Sequence, residues 1–286
     1  MNEERPPHPG DSADTGVPPQ ALIRQRILSS EKRAPHGMVP GMARALAPYL
    51  HHVSLFSKDP PSAARFYKKL MRVPLVRKGS SWMSSNEALP TTGIEPFAEE
   101  TSLHLGWVPS IDAKIAEARK KALEHGAQAE GEVEHASGVS TAFMRMPGGA
   151  LFALTHGAVS DELPDEKLFH DFGEPPPFTG LLLLTEDPAQ ARAFFISVLG
   201  WTEHPLSPEL MTLRTGGGAR LVIAARQGAE LGFVPLVLDP HRDFAKDVDA
   251  LGGRRMSTFC GVTLYADPAG GRVATLTPEL AKALLA

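Results

Sequence analysis

A strand-to-helix junction occurs in this chain and returns at a fixed distance. Phe56-Ser57-Lys58-Asp59-Pro60 closes an alternating apolar run with an Asp-Pro pair, and Leu184-Thr185-Glu186-Asp187-Pro188 does the same 128 residues on (187 − 59). Val108-Pro109-Ser110 and Val237-Leu238-Asp239-Pro240 form a related pair 129 residues apart (239 − 110). Within each half the junctions stand 51 (110 − 59) and 52 (239 − 187) residues apart. Such a period limits the fold before any single residue does, because each repeat is one supersecondary unit that must bury its apolar face against a neighbour. It predicts four similar units in two pairs. Any candidate site position can then be compared at four places.

The first unit opens with the alternating run Val53–Phe56, read as a strand. Asp59 is a good N-cap with Pro60 at the first helical position, and Ala63, Ala64, Phe66, Tyr67 and Leu70 give the helix its apolar side. Short extended pieces follow through Val73–Val76, Trp82, Met83 and Ile94. In the second unit Leu103–Val108 reads as a strand and Ser110 to about His125 as a helix, stopped by Gly126. Three extended pieces follow, the last two split by Pro147-Gly148-Gly149. The third and fourth units repeat the plan from Gly180 and from Phe233, the last one ending in two strands around Asp267-Pro268-Ala269-Gly270. Gly216-Gly217-Gly218 lacks a following Lys-Ser/Thr and reads as a hairpin turn, not a phosphate loop. The expected organisation is an arm over 1–47 with one short helix from Pro19, a domain over 48–157, an acidic, proline-bearing linker over 158–176, and a domain over 177–284.

A chain of 286 residues suits two ordinary domains, and 42% hydrophobic with 22% charged residues can bury a core. The formal net charge of −4 and the lack of a Lys/Arg cluster argue against nucleic acid. No run approaches the roughly 18 apolar residues of a membrane span. The start, Met1-Asn2-Glu3-Glu4-Arg5-Pro6-Pro7, has no apolar segment and is not a secretory signal. A single cysteine, Cys260, excludes an intramolecular disulfide and fits a reducing cytoplasm. Its strand-like neighbourhood predicts a small buried core residue.

These residues carry a family resemblance. His52-Val53-Ser54-Leu55-Phe56, then Asp59-Pro60, Ala64-Arg65-Phe66-Tyr67 and Leu70, resembles the opening of a glyoxalase/bleomycin-resistance/extradiol-dioxygenase domain of the vicinal oxygen chelate superfamily. Asp187-Pro188, Ala193-Phe194-Phe195 and Val198-Leu199-Gly200-Trp201 match again in the third unit. Asp267-Pro268-Ala269-Gly270-Gly271 resembles the family's late turn, with Met146-Pro147-Gly148-Gly149 a variant of it. The resemblance covers about 50–157 and 178–280. It implies an α+β fold of four βαβββ units forming two glyoxalase-like cups. It further implies that metal-dependent members take His, Glu or Gln ligands from the first and last strands of a unit, leaving positions open for adjacent substrate oxygens.

Tested position by position, the first half offers His52 in unit one, sharing a strand face with Ser54 and Phe56, and His104 in unit two. The family's last-strand glutamate falls at Ala153, which cannot bind a metal; Thr155 shares its face but is a poor ligand. Glu95 is the nearest carboxylate of unit one, Glu87 the second, and a solvated loop charge is the bland alternative. The expected metal set is therefore His52, His104 and Glu95, with Glu95 as third ligand or base, and Ser54, Phe56, Trp82, Met144 and Thr155 as ligand-binding residues. The second half puts Gly180, Phe233 and Ala274 at the matching positions, so no metal is expected there, only an apolar concavity lined by Leu182, Leu184, Phe233, Pro235 and Val237. Tyr67 is expected in the core and His51 facing away from the site.

Two readings follow. One is an enzyme with a divalent Fe, Mn, Ni, Co or Zn ion in the first cup, acting as lyase, isomerase or dioxygenase on a small oxygen-rich metabolite. The other is a metal-free, drug-sequestering binding protein of the bleomycin-resistance kind. A third is an interaction protein working through its N-terminal arm. The expected partner is a small molecule, not nucleic acid or membrane, and a homodimer is compatible with the resemblance.

Overall fold

The computed structural model describes residues 48–84, 90–97, 106–134, 140–156, 178–204, 206–207, 209–215, 219–226, 228, 232–238 and 242–285. The expected arm, the linker, His104, Glu87 and the Gly216–Gly218 turn lie outside these residues. One strand, one helix and three strands follow each other four times. The first set is β1 (Tyr49–Ser57), α1 (Pro60–Leu70), β2 (Leu75–Lys78), β3 (Ser81–Ser84) and β4 (Thr91–Pro96). The second is β5 (Gly106–Asp112), α2 (Ile115–Glu124), β6 (Gln128–Glu134), β7 (Ser140–Arg145) and β8 (Leu151–His156). The third is β9 (Phe178–Thr185), α3 (Pro188–Leu199), β10 (Thr202–Glu203), β11 (Met211–Arg214) and β12 (Arg220–Ala225). The fourth is β13 (Gly232–Val237), α4 (Phe244–Ala250), β14 (Arg254–Phe259), β15 (Val262–Ala266) and β16 (Arg272–Leu276), after which α5 (Pro278–Leu285) is added.

The caps explain the helix starts. Asp59 and Asp187 accept from the backbone N–H of Ser62 and Gln190, with Pro60 and Pro188 at the first helical positions. The helices of the second and fourth sets begin later than the junction pattern suggests. Pro109 and Ser110 stay in β5, opposite Val53 and His52, and α2 starts behind Lys114 without a side-chain cap. Asp243, not Asp239, caps α4, accepting from Lys246 N–H. Both starts move by four residues (114 − 110 and 243 − 239), so the period persists while its phase shifts. A strand position that donates no ladder bond tolerates proline as well as a first helical turn does, which is why Pro109 misleads.

Ladder pairing joins the sets within each half. β1 runs parallel to β4 and antiparallel to β5, which runs parallel to β8. β9 is likewise parallel to β12 and antiparallel to β13, which is parallel to β16. Among the described residues the halves meet in the sheet at one ladder pair, Trp107 with Phe233.

Strand alternation sends one set of side chains toward α1–α4. Val53, Leu55, Trp107, Phe152, Leu183 and Phe233 join Phe66, Tyr67, Leu70, Phe194 and Phe195 in one core that spans both halves. Tyr67 is fully buried there, as expected. Polar tips are satisfied across the halves: the Tyr67 hydroxyl and Trp107 Nε1 both donate to the Arg272 carbonyl at 3.1 and 2.9 Å, and Trp201 Nε1 donates to the Pro48 carbonyl at 2.7 Å. Cys260 is not a core residue. It is exposed at the β14–β15 turn with φ +44°, next to Gly261 at φ +76°, because a tight hairpin needs left-handed backbone there.

Candidate functional site

The other set of side chains points to the inner face of each half, away from α1–α4. In the first half β1 contributes His52, Ser54 and Phe56, and the register places Thr91, Gly93 and Glu95 of β4 beside them. Ser110 and Val108 of β5 lie opposite His52 and Ser54, and Ala153 of β8 lies beyond Ser110. One row across the sheet therefore reads Thr91, His52, Ser110, Ala153.

His52 is tied at both ring nitrogens. Nδ1 is 2.6 Å from Thr91 Oγ1 and Nε2 is 2.8 Å from Ser54 Oγ. Gly93 makes room for the ring: a Cβ there would stand 2.9 Å from His52 Nε2 and 3.1 Å from Met83 Sδ. Burial, helped by the neighbouring His51, lowers the His52 pKa to about 3, so the ring is neutral and acts as a hydrogen-bonding group. His51, expected to face the other way, sits where β1 bulges between Leu50 and His52, with its ring centroid 6.4 Å from that of His52. It is buried with no partner for Nδ1, and burial lowers its pKa to about 4. His52, Ser54, Thr91, Ser110 and Asp112 are each half-buried, so the row keeps an accessible side. Tyr49 borders it, donating to Asp112 Oδ2 at 3.4 Å.

Glu95 is not a solvated loop charge. It lies within β4, 4% exposed, and its Oε2 accepts from the Ser81 hydroxyl. Its register partner is Phe56, four residues along β1 from His52, a backbone separation of about 13 Å at ~3.3 Å per residue. Phe56 heads a small apolar cluster with Val108, Phe143, Leu151 and Ala153. Thr155 is fully buried on the inner face, with no partner for Oγ1. Trp82 and Met144 lie on the opposite face: Met144 is buried in the main core, and Trp82, the ladder partner of Ile94, packs against that core. The structure thus brings His52 and Ser54 together, and sets Glu95, Trp82 and Met144 apart from them.

A divalent metal does not fit the described residues. The row at His52 offers one imidazole, already bonded at both nitrogens, two hydroxyls and an alanine. Among the described residues no three His, Cys, Asp or Glu side chains gather to hold an ion. Thr91, Gly93, Ser110 and Ser81 are the residues sequence reading missed. Thr91-Thr92-Gly93 was the available signal, a β-branched pair followed by the one residue that lets a ring lie flat on the strand.

The second half has no such row. The equivalent positions are Arg220, Gly180, Leu236 and Ala274. A Cβ on Gly180 would stand 2.6 Å from the Arg220 carbonyl oxygen, so the site of His52 cannot carry a side chain here. Leu182 and Leu184 face inward as expected, with Val222, Val234, Leu236, Leu264 and Ala274. Phe233 and Val237 do not: they turn to the main core. Ala281 and Leu284 of α5 are buried in the inner cluster, and Leu280 packs against it. The concavity is occupied by the chain's own last helix.

The architecture of two paired βαβββ sets per half decides the comparison. The chain has the vicinal oxygen chelate fold. The Mn(II)-bound glyoxalase from Novosphingobium aromaticivorans superposes with a TM-score of 0.55 over 82% of each chain at 14% identity. Homoprotocatechuate 2,3-dioxygenase from Brevibacterium fuscum gives 0.53, covering 84% of this chain and 83% of its own at 12% identity. The 2,3-dioxygenase LapB from Pseudomonas sp. KL28 gives 0.50 at 12% identity, covering 80% and 91%. No sequence-family model matches the chain, and no curated protein does. Among vicinal oxygen chelate folds, this one carries a filled second cup and a hydroxyl-rich first cup.

Proposed function

We propose that this protein binds a small polar molecule on the inner face of its first half, without a divalent metal. The observation that carries the reading is the bonding of His52: both ring nitrogens are engaged by Ser54 and Thr91, and Glu95 stands four registers away. A neutral imidazole between two hydroxyls can exchange donor and acceptor roles, so the row suits a ligand with hydroxyl or carbonyl oxygens. The Phe56 cluster would take the ligand's apolar part. Among the described residues no helix is long and apolar enough to cross a membrane, and the single cysteine suits a reducing compartment.

The metal-dependent enzyme is the second reading. It is favoured by the Mn(II)-bound glyoxalase of the same fold and by a histidine on the first strand. Plasma mass spectrometry on untagged protein, beside His52→Ala and the His52→Ala/His104→Ala pair, separates the two. Binding predicts far less than one metal per chain in every sample. It also predicts thermal stabilisation by members of a hydroxy- and keto-acid panel that disappears in His52→Ala. Near-stoichiometric metal that leaves with the histidines would establish the enzyme instead.

A further inference from the structure

Helix α5 is an addition to the four repeated sets, and it is lightly tied. It joins β16 through Thr277 alone, whose N–H donates to the Gly261 carbonyl at 2.8 Å. Near its other end the Leu284 carbonyl accepts from Arg220 Nε at 3.4 Å, a long contact. Of its eight residues Ala281 and Leu284 are buried, Leu280 packs in part, and Leu285 stays 38% exposed. Because α5 follows the last strand, it leaves without breaking a ladder bond. A helix this short has little stability apart from the face it covers.

The face beneath it is larger than what α5 contributes. Leu182, Val222, Leu236 and Leu264 are each 0% exposed, with Leu184 and Val234 beside them. These side chains are all aliphatic, and burial of apolar area makes no directional demand. The face therefore suits an alkyl chain as well as it suits Ala281 and Leu284. An eight-residue helix is about 12 Å long, the reach of a medium-length alkyl chain. Thr212, the ladder partner of Val222 on the same face, is buried, with no partner for Oγ1 among the described residues. Its hydroxyl can meet a polar chain end.

We propose that α5 is a displaceable plug, and that an alkyl chain ending in a hydroxyl binds the inner face of the second half when α5 detaches. The site uses other residues than the His52 row and stands whether or not that row binds a ligand. Because helix and ligand compete, the apparent affinity is the intrinsic one reduced by the fraction of molecules with α5 detached. The test is hydrogen exchange of the full chain with and without decan-1-ol, beside calorimetric titration with alcohols from butan-1-ol to decan-1-ol. In the free protein the α5 amides should exchange roughly tenfold or more faster than those of β9 and β13, through detachment of α5 alone. Decan-1-ol should speed exchange in α5 and slow it in β9 and β13, as displacement requires. Affinity should rise up to roughly fourfold for each added methylene. Ala283 is exposed on α5, so Ala283→Gly weakens the helix and leaves the face whole; decan-1-ol affinity should rise roughly fivefold. His52→Ala should leave it unchanged. Decan-1-ol that fails to saturate, α5 amides as slow as those of β9, a helix protected by the alcohol, or an affinity that does not rise in Ala283→Gly would overturn the proposal. Butan-1-ol binding as tightly as decan-1-ol would overturn its ligand class.

Discussion

The two inner faces share one scaffold and have opposite fates. In the first half the central row is Thr91, His52, Ser110 and Ala153, half-buried at His52 and Ser110. In the second it is Arg220, Gly180, Leu236 and Ala274, with Leu182, Val222, Leu236 and Leu264 each 0% exposed beneath α5. A sheet face that is apolar throughout must be covered, and α5 covers it; a face with a hydrogen-bonded polar row does not need a lid. The difference leaves a covered apolar face in the second half and an accessible polar row in the first, the row proposed above to bind a ligand.

The largest effect should come from uncovering the filled face. Leu284 is fully buried between α5 and the sheet. Leu284→Asp places a charge there and should cost more than about 4 kcal/mol, read by urea unfolding. The milder Leu284→Ala should cost about 2–5 kcal/mol and raise binding of a dye that reports exposed apolar surface. If neither changes the urea midpoint, α5 does not hold the second half together.

Acid should act on the strand that carries the site. His51 and His52 titrate near 6.5 when unfolded and at about 4 and about 3 when folded. Between these values the unfolded chain takes up protons that the folded rings refuse. Stability is therefore complete above pH 6.5 and falls as pH drops toward 4. The full 2.5-unit difference for His51 (6.5 − 4) is worth roughly 3 kcal/mol. His51→Leu, which puts a side chain that cannot titrate at this buried position, should flatten that part of the stability–pH curve. An unchanged curve would show that burial of His51 is not what depresses its titration.

Much of this was legible in the chain. Aspartate caps with proline at the next position located α1 and α3, and the period located four sets of elements. What escaped had weak local signals. Lys114 caps α2 without a side-chain bond, so Ser110 looked like the better start. Helix α5 was unread, although Pro278, Ala281 and Leu284 have helical spacing, because a short terminal helix gains its stability from the face it covers. The site was half legible. His52 and Ser54 follow from alternation alone, but their neighbours depend on the β1–β4 register, which pairs His52 with Thr91 and leaves Glu95 with Phe56.

Gly93 tests that register. A methyl group there would meet His52 Nε2 at 2.9 Å, so Gly93→Ala should displace the ring, cost about 1–3 kcal/mol in thermal unfolding, and weaken ligand binding to the first half. Retained binding with a displaced ring would take His52 out of the recognition row.

The smallest effect separates the two hydroxyls that hold the ring. Thr91→Val keeps the shape of the side chain and removes the 2.6 Å partner of Nδ1, while Ser54 still holds Nε2. The cost should be about 1 kcal/mol, the net value of one hydrogen bond, because the half-buried ring can find water at the freed nitrogen. Nitrogen NMR of the imidazole should then show a changed tautomer balance, since Thr91 no longer fixes which nitrogen carries the proton. A tautomer unchanged in Thr91→Val but altered in Ser54→Ala would mean that Ser54 alone orients the ring, and the recognition row would begin at β1 instead of β4.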